Sequence, residues 1–493
     1  MSDITQEKNN EIQKEQKTII ITNEYYKKCN ETNITIHDFY KLFKELKDED
    51  PLIQIKGLIG MRKLCIQEKN KEAPKKLFNV LINYLVVFIK DYSEAFQNES
   101  LICLKNIEKV NLKVDCSIKI PFYNDLITIV LSRIKNRKEL KMEKLTLKTY
   151  LSYIKTIINS SKILREMLSK RLIDEIINII NEYMKDKDFI IIKKCLKVFF
   201  VLFLKRPDFD WNFLSSLNVD FKQPEDILKT VIDIMNKYPD EIQLMNYSLK
   251  IIERFSFINE PVNLDKINKL NILPKIIELA DNPNGDIICL ALKIIGNFAM
   301  NNNSIYTQIL IDLNVLEILK RTLKKEYDNL NEEIRKESSF IISNIAAGNQ
   351  EQVCAIYEDN FYEILTDIIK NEEESPCKIN CLWALYNLTC IKNQLYIKEL
   401  VQKGIIKIII NRFNIDKGKV LGCSLEALCN LLEFGRQTKN PIINNIIEKE
   451  VKDLDVFNAV KNLNKNDEEE EIYQHLITKI LKDYMRMYNV NNI

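Results

Sequence analysis

Glycine and proline are scarce, at 9 and 11 residues in a chain of 493. Both punctuate helices and build turns, so little tight turning and much helix are expected. Tryptophan and histidine occur twice each. With His37 and His475 as the only imidazoles, neither a zinc site of the usual ligand set nor a central histidine base can be assembled. The 12 cysteines form no CxxC pair, and the nearest approach is Cys377 with Cys381, one helical turn apart. Reduced, buried thiols are expected rather than disulfides. The longest purely apolar run, Val198 to Leu204, falls well short of the ~20 residues needed to span a bilayer. The N-terminus has no basic-then-apolar leader, so a soluble, intracellular protein without membrane insertion is expected. Charge of one sign is also missing, with 72 basic against 70 acidic residues and a net charge of +2. That balance offers no overall field for wrapping nucleic acid. No glycine-rich phosphate loop and no nucleophile elbow occur. The reading is of a protein that is not an enzyme and uses neither cofactor nor metal.

One helix, by contrast, is written four times. It reads ALKIIGNFA (Ala291 to Ala299), SSFIISNIAAG (Ser338 to Gly348), CLWALYNLT (Cys381 to Thr389) and SLEALCNLLEFG (Ser424 to Gly435). Its asparagines, Asn297, Asn344, Asn387 and Asn430, recur at intervals of 47, 43 and 43 residues, the period of a helical solenoid. Four residues before each stands Lys293, Phe340, Trp383 or Glu426. Positions i and i+4 share a helical face, so stacked repeats would align these pairs as a ladder on one surface. An open array also removes the limit of ~250–300 residues on a single core.

At these residues the chain resembles importin α, the armadillo-repeat adaptor that carries nuclear-localisation signals. SSFIISNIAAGN and LWALYNLT are similar to that family's tryptophan-and-asparagine helix, LVQKGIIKIIINRF (Leu400 to Phe413) to the start of a further repeat, and EEEEIYQHLITKIL (Glu468 to Leu481) to its terminal acidic repeat. The resemblance covers roughly the last 210 residues and implies an all-α, armadillo-repeat, right-handed superhelical solenoid. It implies an adaptor of cytoplasm and nucleus whose concave groove holds the basic signal peptides of cargo proteins and which links them to the import receptor. A nuclear export receptor docking at the acidic end is implied as well. The family begins with an arginine-rich segment that binds importin β. Here the first 60 residues contain no arginine, so that segment is absent or its partner is held by something weaker. The alternative reading is an armadillo scaffold for protein–protein interaction without transport.

By resemblance, the minor cargo site comprises Asn297, Glu337, Phe340, Asn344, Trp383 and Asn387. Asparagine carries donors and an acceptor that can grip an extended backbone, and aromatic rings between the rungs make slots for lysine stems and their ammonium groups. Glu337, if it follows the family, neutralises the bound lysine. Lys293 stands where the family places an arginine that orients neighbouring carboxylates, Asn430 continues the row, and Asn380 stands where a carboxylate is usual. Taken singly, Asn106, Asn430, Lys293 and Glu426 read as ordinary surface residues. It is repetition at the repeat period that turns Phe340, Asn344, Trp383 and Asn387 towards binding.

Upstream, Met1 to Asn33 reads as a disordered polar tail, residues 34–485 as the solenoid and 486–493 as a C-terminal tail. Asn106, with Ile102 in the place of a tryptophan, is the one rung seen in the first half. The period extends to Lys144–Ile158, Ile190–Leu204 and Gln243–Phe257, with Thr149 and Tyr153, Phe199 and Phe203, and Lys250 and Arg254 as pairs. The major cargo chemistry is expected to be altered there. Arg206 to Pro224, with Trp211, reads as an insertion whose tryptophan packs. Asn331 to Arg335 and the acidic Glu372 to Pro376 read as surface loops.

Overall fold

The computed structural model describes residues 38–66, 75–110, 116–160, 162–202, 222–257, 261–301, 304–324, 332–391, 393–413, 415–463 and 473–487. Among them there is helix and no strand. The chain divides into two compact units, Met1–Arg254 and Phe255–Ile493.

The first unit runs through α1 (Phe39–Leu46), α2 (Pro51–Ile66), α3 (Lys75–Asp91), α4 (Glu94–Val110), α5 (Cys116–Lys135), α6 (Lys144–Ser160), α7 (Lys162–Lys185), α8 (Phe189–Leu202) and α9 (Lys222–Lys237). Helix α10 (Ile242–Ser256) follows, its last two residues belonging to the second unit. Helices α4, α6 and α8 pack side by side in one layer, with α3, α5, α7 and α9 in another. The extended period therefore places its helices correctly, at α6, α8 and α10. It misplaces one face: Tyr153 and Phe199 are fully buried, and the open positions of α6 and α8 are Lys148, Ser152 and Lys155, and Lys193, Lys194 and Lys197.

The second unit is built of triplets: α11 (Pro261–Lys269), α12 (Leu273–Leu279) and α13 (Gly285–Ala299); α14 (Ser304–Asp312), α15 (Val315–Leu323) and α16 (Glu332–Ala346); α17 (Gln350–Glu358), α18 (Phe361–Asn371) and α19 (Pro376–Asn387); α20 (Gln394–Gln402), α21 (Ile405–Arg412) and α22 (Gly418–Gln437); α23 (Pro441–Asp453), α24 (Val456–Leu463) and α25 (Gln474–Met487). The third helices α13, α16, α19, α22 and α25 stack each on the next. This is the expected all-α armadillo-type solenoid. Ile341, Ile342 and Ile345 of α16 and Leu382 and Leu385 of α19 are wholly buried between neighbours, each worth about 1.5–3 kcal/mol.

What separates the first helix of a triplet from the second is a single residue in the left-handed region: Asn271, Asn314, Asn360, Gly404 or Asp455, with φ between 49° and 86°. Each N–H bonds the carbonyl three residues back, at 2.9–3.1 Å. These are the residue types that adopt this conformation at least cost, and the break it makes lets the next helix turn away. In the first unit the corresponding places are occupied by the unbroken helices α5, of 20 residues, and α7, of 24. There the left-handed residues, Lys141 and Lys187, lie instead before the third helices.

Side-chain caps start the other helices. Asn284 accepts from Asp286 and Ile287, Asn349 forms a capping box with Gln352, and Ser375 caps α19 with Pro376 in its first turn. The acidic segment before Pro376 is a connection, as expected. Residues 332–335 are not: they open α16, and Arg335 is buried, with its guanidinium paired to Glu372 at 2.7 and 2.8 Å. A buried arginine beside a loop-like polar run reads as a surface segment because its partner lies 37 residues away, in the connection after α18. No described helix is long and apolar enough to cross a membrane. Residues 1–33, Phe203, Trp211 and the acidic run Asp467 to Glu471 lie outside the described residues.

Candidate functional site

Repetition of one helix has put its open positions in register. Lys293 and Asn297 on α13, Glu337, Phe340 and Asn344 on α16, and Trp383 and Asn387 on α19 are all half-buried, while the residues flanking them, Lys336 and Ser343 apart, are buried. The rings of Phe340 and Trp383 thus reach the surface and are not spent as core. Phe340 packs beside Gly296 of α13, where an added Cβ would lie 3.5 Å from its ring. On α22, Glu426 is exposed and Asn430 half-buried. On α4, Asn106 and Ile102 are half-buried.

The asparagines are already engaged. The side-chain N–H of Asn387 donates to the Ser343 carbonyl on α16 at 3.4 Å, that of Asn297 to Ser256 Oγ at 2.8 Å, and that of Asn430 to Thr389 Oγ1 at 3.4 Å. Asn344 bonds within its own helix, to the Phe340 carbonyl at 2.8 Å. Three of the four therefore reach back about one repeat. An amide has two N–H donors and a carbonyl, so each of these bonds uses one donor. Asn380 is turned the same way, donating to the Lys336 carbonyl at 3.3 Å and Ser339 Oγ at 3.2 Å. It joins α19 to α16.

Electrostatically, the site holds a residue that the sequence reading passed over. Glu333, one turn before Glu337, is 3.1 Å from Lys293 and 3.2 Å from Lys336, and Lys336 is 4.0 Å from Glu337. The bonds from Lys293 and Lys336 hold the Glu333 carboxyl below the usual carboxylate range. Half-burial pulls the Lys293 ammonium down, but its bond to Glu333, with Cys289 and Glu337 nearby, more than reverses this and raises it. Lys293 thus orients a carboxylate, although Glu333 is the one it grips. Its 40-residue separation from Lys293 hid the pairing. Glu337 is only 14% exposed and Glu333 42%, so Glu333 is the more accessible of the two carboxylates.

Beyond Asn430 a cavity of about 470 Å³ opens, lined among others by Thr389, Cys390, Gln394, Asn430, Glu433 and Gln437. Among the described residues no group of three or more His, Cys, Asp or Glu side chains could hold a metal ion. What the arrangement offers is a row of amides and two half-buried rings on adjoining helices, with a pair of carboxylates on α16. Amides of this kind can bond a backbone, and rings and carboxylates can meet cations, by non-covalent contacts.

No family model matches the chain. It is 33% identical over 104 residues to importin subunit alpha-1a of Oryza sativa subsp. japonica, which covers 20% of this chain and 19% of that protein. It is 29% identical over 238 residues to importin subunit alpha-4 of Arabidopsis thaliana, covering 46% and 42%. The chain thus matches less than half the length of these curated relatives. Among solved structures, the crystal structure of an engineered protein superposes with a TM-score of 0.68 at 14% identity, covering 91% of this chain and 98% of that one. Such an identity speaks for a shared fold alone. The chain is an armadillo-type helical solenoid with distant similarity to importin α subunits.

Proposed function

We propose that this protein is a peptide-binding adaptor whose second unit takes the lysine- and arginine-rich nuclear-localisation signals of cargo proteins along the open faces of α13, α16 and α19. The observation that carries the reading is that Phe340, Asn344, Trp383 and Asn387 stand half-exposed on two adjoining helices, with Glu333 and Glu337 beside them. Lysine stems pack between the rings, the amides hold the visiting backbone, and the carboxylates select cations over neutral residues. The distant similarity to importin α subunits supports the same ligand class. Linkage to importin β, return by an export receptor and residence in both cytoplasm and nucleus belong to this proposal. The segments that would carry the two receptor contacts lie outside the described residues.

The test is a fluorescence titration with a labelled lysine-rich signal peptide. The Trp383→Ala, Asn387→Ala double variant is expected to bind at least about thirtyfold more weakly, the effect of losing a central aromatic anchor. Equal affinity in both proteins, or none in either, would refute the reading. A second reading, a scaffold without transport, is favoured by the absence of arginine from the first 60 residues. A pull-down with importin β separates the two: retention supports transport, and failure beside intact signal binding supports the scaffold.

A further inference from the structure

The first unit has an open face of a different character. Helices α6 and α8 lie side by side in the third-helix layer, and neither contains an aspartate or glutamate. Their lysines form a group: Lys148 and Lys155 on α6 and Lys193, Lys194 and Lys197 on α8 occupy open or half-buried positions. Asp188, before α8, acts on Lys148, whereas Lys193 and Lys194 bond to neutral side chains. Lys194 Nζ donates to Ser152 Oγ at 2.8 Å and Lys193 Nζ to Gln243 Oε1. Lys197 and Lys250 stand 5.1 and 5.4 Å from the centre of the Tyr247 ring, and Arg254 stands 5.8 Å from that of Phe200. The carboxylate in this stretch is Glu253, 13% exposed and 3.3 Å from Arg254. Burial lowers the Lys194 ammonium, and Lys105, Lys197, Lys155 and Lys193 lower it further, so these cations are close enough to repel one another.

We propose that the open face of α6, α8 and α10 docks an extended acidic peptide segment, with carboxylates seated on Lys155, Lys194, Lys197 and Lys250. A patch that repels itself is relieved by an anion of matching spacing. Packed helix axes lie ~8–10 Å apart, and every third residue of an extended chain advances ~10 Å, so carboxylates at that spacing step from α6 to its neighbour α8. A nucleic acid fits less well. The phosphates of one strand follow at ~3.4 Å of axis, and single-strand binding uses free aromatic faces for base stacking. Here Phe200 and Tyr247 pack edge-on at 6.5 Å with cations already over them. This face is independent of the ladder in the second unit and of what that ladder binds.

The experiment uses the full chain and a fluorescein-labelled peptide of repeating Glu-Ser-Ser, read by anisotropy at low and moderate salt. The peptide is expected to bind, to weaken as salt rises, and to bind about tenfold more weakly to Lys194→Glu, Lys197→Glu. Trp383→Ala, Asn387→Ala is expected to bind it unchanged. Should charge reversal unfold the protein, as circular dichroism would show, Lys194→Gln, Lys197→Gln decides, with the same weakening expected. Absence of binding, equal affinity in the lysine variants, or displacement of the peptide by a single-stranded oligonucleotide at lower concentration than by unlabelled peptide would each overturn the proposal.

Discussion

At the scale of single residues, environment rather than type sets behaviour. Glu99 on α4 lies 3.4 Å from Arg62 Nε, yet burial pushes its carboxyl from 4.5 up to about 8. Between those values the folded chain holds a proton that the unfolded chain has released. Its contribution to stability is therefore complete below about pH 4.5 and is lost as pH rises through about 8. Thermal melts of the wild type at stepped pH should show this decline, and Glu99→Gln should lack that part of it and melt higher at pH 8. Residues were also where the sequence was most and least legible. Phe340, Trp383 and the asparagines stood out because a marked residue type returned at the repeat period. Tyr153 and Phe199 were assigned to the open face because LSYIKTII and VFFVLFL are apolar on too many sides for periodicity to fix a face. Glu333 escaped because only the packing of α13 on α16 brings Lys293 to it.

At the scale of helices, the second unit depends on its left-handed corners and on buried ion pairs between repeats. Gly404 has φ 86° with nothing within 4 Å of an added Cβ, so the cost of Gly404→Ala is backbone strain alone, about 1–2 kcal/mol, readable as a fall in the denaturant midpoint. Arg412 binds Glu374 at 2.5 Å and Asp416 at 2.5 and 2.9 Å, and Tyr386 donates to Asp416 at 3.3 Å. Asp416 is only 2% exposed. Arg412→Met would leave that charge buried alone, a loss of about 3–5 kcal/mol, and adding Asp416→Asn should restore most of it. The helices of both units were readable from their apolar spacing. The corners were not, because asparagine is common throughout the chain and its left-handed geometry shows only in the backbone.

At the scale of the molecule, each third helix of the second unit rests on the next, so damage there is expected to stay local. Ending the chain after Asn440 removes α23 to α25, strips α22 of its neighbour α25 and of the Lys479–Glu433 pair at 2.9 Å, and should lower the melting temperature. Basic-peptide affinity should stay within about threefold of the wild type, because α13, α16 and α19 keep each other. The same stacking has a consequence for what visits the row. Asn297, Asn387 and Asn430 are each tied back to an earlier repeat, so their rotamers are restricted before the proposed peptide binds. The ordering entropy, about 0.5–1.5 kcal/mol for each such side chain, is spent when the chain folds and not when it associates. The host then contributes little floppiness to the reaction, and rival sequences of equal charge are ranked by their own: a signal stiffened with proline should outbind one loosened with glycine.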